Sequence, residues 1–417
     1  MIEVVITFHV FLLILNLKLI KNIAAPSFLY TFIWFIVLLL HFLVAKFNLI
    51  SINSLSNEIL LFFLLGTIFF NAGSFFSIMV YHKSHPREYK TKFVRVHNFF
   101  DNFMLLIPLL FLPVVYLKSL YLAYNSGIEN LFLGLRYQKN YGGESLGVLQ
   151  YLTIWAIFDA TWRYLLYKHN VSVWMQKGKM IVAFSSAFFY AILSTGKTFP
   201  FLIIITLIGL KFLANEVKIK QGVIFVSSLF LVFFFFSVFL EKGASPNNSF
   251  TVNLILVNQT LLNYMLGPQS ALDSVFQNSI AYDLGFNSFR FFFAFFYKIG
   301  ISDIEPFNLV QVFTFVPFPT NAYTYYYPYI LDFGVIFSFL TLFIFGFFHT
   351  KSFLHAKRGS LVYSYIYALM LYPLFMSFFQ DQYLSLLSTW LQFAIFILFE
   401  MKFILVKLVP KYYKIIL

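Results

Sequence analysis

Cysteine is absent from the 417 residues, which removes disulfides, thiolate metal sites and cysteine nucleophiles together. Charge is nearly as scarce: 11% of residues are charged against 60% apolar, with a mean hydropathy of +0.82. A soluble fold is thereby excluded, because no soluble core hides so much apolar surface. Apolar runs of about 18 or more residues read instead as membrane spans. Also missing is a basic stretch before the first apolar run. The chain opens Met1-Ile2-Glu3, so the first helix is expected to be kept rather than cleaved as a signal peptide. With no internal repeat, heptad run or flexible linker in view, residues 1–417 read as a single transmembrane domain. Aromatic residues are abundant, with 61 Phe and 27 Tyr. Tyrosine suits a membrane interface, where its ring is buried and its hydroxyl stays wet.

The expected fold is all-α and polytopic, with about 11 transmembrane helices. The spans read as 2–17, 26–47, 58–81, 103–124, 148–167, 180–196, 198–213, 222–241, 334–350, 361–379 and 384–402. Lys and Arg set their orientation. With the N-terminus outside, the inner connections hold 20 of the 29 cations, from Lys18 and Lys21 through Lys351, Lys357 and Arg358 to the C-terminal lysines. The net charge of +13 therefore reflects topology and gives no reason to expect nucleic acid as a partner. Eight cations remain outside or in the outer leaflet: Lys46, Lys118, Arg136, Lys139, Lys197, Lys242, Arg290 and Lys298; Arg163 lies within a helix. A cation on the disfavoured side commonly binds an anion.

Two outer segments are long, about 125–147 and 242–333. The second is a large loop, amphipathic rather than polar, and its stretch 286–299 (FNSFRFFFAFFYKI) is expected to lie flat at the interface or dip in as a re-entrant helix. Arg290, in that run, needs lipid phosphate, a carboxylate or a substrate as its partner. Arg136 and Lys139 share the shorter loop with Gly142 and Gly143, where an arginine fork could grip a phosphate; the plainer reading is a solvated loop charge. Gly196-Lys197-Thr198 looks like the tail of a phosphate-binding loop, but Ala191 stands where that motif needs glycine. What survives is a lysine at a tight turn beside a helix N-terminus, or one that merely snorkels. Asp159 and Arg163, four apart, fall on one helical face and read as a neutralising pair. Neither long outer loop holds a histidine, and the Asp303-x-Glu305 pair is weak as a metal site. No metal or other cofactor is expected.

Pro319-Thr320-Asn321-Ala322-Tyr323-Thr324, followed by Tyr329 and Asp332-Phe333-Gly334, resembles the C-terminal signature of the Wzy-type O-antigen polymerases, the oligosaccharide repeat-unit polymerases of bacterial inner membranes. Ser194-Thr195-Gly196-Lys197-Thr198 looks like the same family's small-Gly-Arg-Thr element, with lysine in place of arginine; the charge is preserved but the bidentate fork is not. The resemblance covers about 190–350, and the N-terminal half matches by topology alone.

The resemblance implies a multi-pass inner-membrane glycosyltransferase whose active site faces the periplasm. Its donor and acceptor would be undecaprenyl-diphosphate-linked oligosaccharides, with membrane lipids around it, and a chain-length regulator and a flippase are compatible partners. Diphosphate leaves readily, so the reaction chiefly needs positive charge at the departing oxygens. Arg136, Lys197 and Arg290 are the catalytic candidates, supported by Lys139. Asn321, Thr324, Tyr325 and Tyr329 would position sugars. Glu144 and Asp332 are placed to serve as the acceptor's base on location alone, although Asp332 could instead anchor the ninth span. Two alternatives stay open. An O-antigen ligase uses the same donor but characteristically carries a loop histidine. A flippase or other transporter would place charge at mid-membrane.

Overall fold

The computed structural model describes residues 1–83, 93–96, 98–141, 145–168, 173–214, 219–277, 282–307 and 311–407. Fourteen α-helices run through them: α1 Ile2–Ile20, α2 Pro26–Phe47, α3 Asn57–Lys83, α4 Asn98–Asn125, α5 Leu131–Asn140, α6 Tyr151–Lys168 and α7 Val173–Leu193. After these come α8 Thr198–Leu213, α9 Ile219–Phe239, α10 Phe250–Phe276, α11 Arg290–Lys298, α12 Tyr327–Lys357, α13 Leu361–Phe375 and α14 Leu387–Phe399. Two short antiparallel ladders, a 3-10 turn at Gly147–Gln150 and a π-helical turn at Glu400–Ile404 complete the described secondary structure. Phe93–Val96 (β1) pairs with Leu405–Lys407 (β4), and Thr314–Phe315 (β2) with Pro319–Thr320 (β3).

A helix stands at each of the eleven segments read as spans. Six of the described helices (α1, α2, α3, α4, α9 and α12) are long and apolar enough to cross a membrane, while α8 and α13 are shorter apolar helices. The chain is thus an all-α protein of membrane character. The segment 242–333 is richer in structure than a loop: it holds the 27-residue α10 as well as the aromatic α11.

By contacts within the chain, two compact units are distinguished. Unit 1 comprises Met1–Arg87, Asn258–Arg358 and Leu369–Leu387; unit 2 comprises Glu88–Val257, Gly359–Ala368 and Ser388–Leu417.

In unit 1, α3 and α12 pack backbone against backbone because glycine permits it. A Cβ on Gly73 would lie 1.9 Å from the Phe343 carbonyl oxygen, and one on Gly346 would lie 2.1 Å from that of Phe70. Small residues at a membrane-type interface allow such approach, and polar side chains then join the helices. Ser74 Oγ donates to the Gly346 carbonyl at 3.2 Å. Asn16 of α1 donates to Asn71 of α3 at 2.8 Å, and Asn71 donates on to Thr31 of α2 at 2.9 Å. Gly334, with φ +80°, breaks α12 near its start, at the residue where the sequence begins the ninth span.

Unit 2 is centred on charge. The expected Asp159–Arg163 pair forms, at 2.9 Å, and is larger than the sequence suggests. Arg163 also donates to Asp101 of α4 at 2.6 Å, and Lys179 of α7 pairs with the same carboxylate. All three helices are thereby tied at one level, with Asp101, Asp159 and Arg163 buried. A buried guanidinium is tolerable when its donors are spent on carboxylates in this way.

Candidate functional site

Three of the expected site cations, Arg136, Lys139 and Lys197, lie in unit 2. Asn130 caps α5, accepting from the Phe132 and Leu133 amides at 3.1 and 3.2 Å. Its amide nitrogen donates to the Phe239 carbonyl at 3.1 Å and to Glu241 Oε1 at 3.2 Å. One side chain thus starts α5 and fastens it to the end of α9. The far end of α5 is fixed as well, because Lys139 Nζ donates to the Leu193 carbonyl at the end of α7, at 2.7 Å. The helix is a bracket across two helix ends, and it carries Arg136.

Lys197 sits at the tight turn between α7 and α8. Thr195 there adopts φ +57°, and the Gly196 amide donates to Ser194 Oγ at 3.3 Å. The lysine reaches across to α9. Its ammonium lies 3.4 Å from the centroid of the Phe233 ring and donates to Ser237 Oγ at 3.2 Å. The Ser237 carbonyl in turn accepts the Lys242 amide at 2.8 Å. Lys197 and Lys242 are therefore gathered on one turn of α9, and both feel the positive charge of Arg136.

Such crowding lowers the lysines' proton affinity. Burial, followed by the charges of Lys242 and Arg136, brings Lys197 down to about 6. Burial and then Arg136 bring Lys242 to about 7, and burial alone brings Lys139 to about 8. Desolvated cations that repel one another are what an anion site looks like before its anion arrives.

Arg290 belongs to unit 1. It opens α11 and is half-buried, and its Nε donates to the Phe307 carbonyl. The turn before it is held by Asp332, whose two oxygens accept from the Asn287 amide (3.1 Å), the Asn287 side chain (2.9 Å) and the Ser288 amide (2.6 Å). Asp332 is buried with these donors in place, an arrangement that anchors the turn. Phe333 and Gly334 support the same turn: Phe333 packs against Phe289, and Gly334 leaves room for the Tyr282 ring.

The tyrosines expected to touch sugar are packed inward. Tyr325 and Tyr329 are fully buried, and Tyr329 donates to Asp381 at 3.0 Å. Asp381 further accepts from the Tyr383 amide and from the Ser385 amide and hydroxyl. The rings of Tyr325 and Tyr329 are both packed into the core of unit 1. Thr324 is buried too, and Asn321 is half-buried. Glu144, Gly142 and Gly143 lie outside the described residues.

Sequence reasoning missed Lys242 as a site member, along with Asn130, Ser237 and Glu241. The signal for Lys242 was present, since it is one of the eight cations on the disfavoured side. Asn130 and Glu241 carry no such mark, because only the meeting of α5 with α9 gives them a role. No family model, curated protein or solved structure matches this chain.

Proposed function

We propose that the protein is an O-antigen polymerase of the bacterial inner membrane, with eleven spans and its site at the periplasmic face. It joins undecaprenyl-diphosphate-linked repeat units by transferring the growing glycan to the non-reducing end of a new unit, and undecaprenyl diphosphate is released. The observation that carries this reading is the gathering of Arg136, Lys197 and Lys242 around one helix end. The charge asymmetry of the loops supports an outer position for that end, where cations are otherwise disfavoured.

The chemistry follows from charge. As the anomeric carbon–oxygen bond of the donor breaks, negative charge grows on the departing diphosphate. Fixed cations in a poorly solvated setting stabilise that charge without reorganising. Lys197 is immobilised on Phe233 and Ser237, and Arg136 by the bracket that Asn130 and Lys139 hold at both ends. Arg290, flanked by aromatics at the start of α11, would engage the lipid-linked substrate at the interface.

The test is the lipopolysaccharide of a host strain lacking the gene, complemented by wild type, Lys197→Met or Arg290→Ala. The expected result is a ladder collapsed to core plus one repeat unit, restored only by wild type, with all variants present in the membrane at equal level. Loss of every O-antigen band would move the assignment to ligase or flippase, and an unchanged ladder would discard the glycan reading.

A further inference from the structure

We infer that Glu241 is the general base that takes the proton from the acceptor hydroxyl, an assignment that rests on the polymerase reading above. Its place in the fold is the first argument. Glu241 adjoins Lys242 in sequence, is exposed, and has its Oε1 held by Asn130 at 3.2 Å. The residue that starts the Arg136-bearing helix thus also orients this carboxylate.

Backbone strain is the second argument. The end of α9 is closed by two reversed hydrogen bonds, Lys242 N to the Ser237 carbonyl at 2.8 Å and Glu241 N to that of Val238 at 3.2 Å. This closure places Glu241 at the position after the helix cap, where glycine is preferred because the backbone turns left-handed. Glu241 takes that conformation with φ +49°. Glycine would meet the requirement without strain, and the chain has one two residues on, at Gly243. A side chain kept where the backbone opposes it points to use of that side chain.

Several of the other described carboxylates read as outer are engaged within unit 1, where Glu3, Glu58, Asp303 and Glu305 are exposed. Asp332 and Asp381 are saturated by donors, and Asp273 accepts from the Ser56 amide and hydroxyl at 2.8 and 2.5 Å. Asp283 accepts from Asn287 at 2.9 Å. In unit 2, Glu129 is exposed on the turn before α5, and Glu241 is the carboxylate beside a cation of the cluster.

The step balances without a further reactant. The acceptor sugar's hydroxyl proton passes to a Glu241 carboxylate oxygen as the hydroxyl oxygen bonds to the donor's anomeric carbon. The bond from that carbon to the diphosphate oxygen breaks, and its electron pair leaves on the diphosphate, facing the cations. The protonated Glu241 then returns its proton to water.

The test uses the full chain in nanodiscs, supplied with lipid-linked repeat units extracted from a strain lacking the gene. Binding is measured separately with undecaprenyl diphosphate. Glu241→Gln retains an oxygen for Asn130 and removes only the basic site. Its elongation rate should fall about a hundredfold or more, while undecaprenyl diphosphate binds as to wild type. Glu241→Ala should recover activity with added formate, which a purely structural role would not produce. Glu241→Gly should melt no lower than wild type and yet form no polymer. Wild-type elongation by Glu241→Gln, or its loss of diphosphate binding, overturns the base assignment. Failure of the wild type itself to bind undecaprenyl diphosphate and elongate overturns the polymerase reading instead.

Discussion

At the scale of single residues, protonation controls the cation cluster. Lys197 at about 6 and Lys242 at about 7 hold their protons loosely because burial and neighbouring charge both disfavour the ammonium. An anion reverses that balance, and its binding above these values must draw protons in. Inorganic pyrophosphate should therefore bind at least roughly tenfold more tightly near pH 6 than near pH 8. Calorimetry in two buffers of different ionisation enthalpy should show net proton uptake at the higher pH. Lys197→Arg, which stays charged, should flatten the dependence. The sign for the unliganded fold is opposite. Both lysines lie below their unfolded values, so the unfolded chain binds more protons, and stability rises with pH from about 6 toward the ordinary lysine range.

At the scale of elements, the α3–α12 contact has no slack. Gly346→Leu must force the two backbones apart, since even a Cβ would collide with the Phe70 carbonyl. The expected cost is about 1–3 kcal/mol or more, read as a lowered melting temperature in detergent, whereas Gly178→Leu, at a glycine with open space around it, should be neutral. The helices at the eleven apolar runs were legible from hydropathy, because an apolar run of bilayer length has few other fates, whereas α5 and α10 lay in segments read as loops. The Asp159–Arg163 pair was legible from its four-residue spacing. Its extension to Asp101 and Lys179 was not, since spacing within one helix carries no information about which other helices face it. The burial of the aromatic run at 323–329 was not legible for a related reason. Composition cannot separate a tyrosine that meets water from one whose hydroxyl finds Asp381 inside the protein.

At the scale of the whole molecule, the lack of cysteine makes topology directly measurable. Single cysteines can be introduced one at a time against a silent background. With a membrane-impermeant maleimide applied to spheroplasts, Glu129→Cys and Ser302→Cys should react, while Lys177→Cys and Lys357→Cys should react only after the membrane is opened. The reverse pattern would invert the orientation and remove the cation cluster from the periplasm. Legibility was uneven at this scale too. Charge asymmetry predicts an orientation, but the division into two units of interrupted sequence leaves no trace in composition, because it depends on which distant helices pair.

That interruption also matters while the chain is being made. Ser74 and its partner Gly346 are 272 residues apart, so at about 5–20 residues per second α3 waits on the order of 10–60 s for α12 to be synthesised. Throughout that interval the glycine-lined surface around Gly73 and the Ser74 hydroxyl faces lipid, or whatever insertion factor attends the ribosome. The N-terminal three helices can meanwhile fasten to one another through Asn16, Thr31 and Asn71, forming a seed onto which the last third of the chain docks.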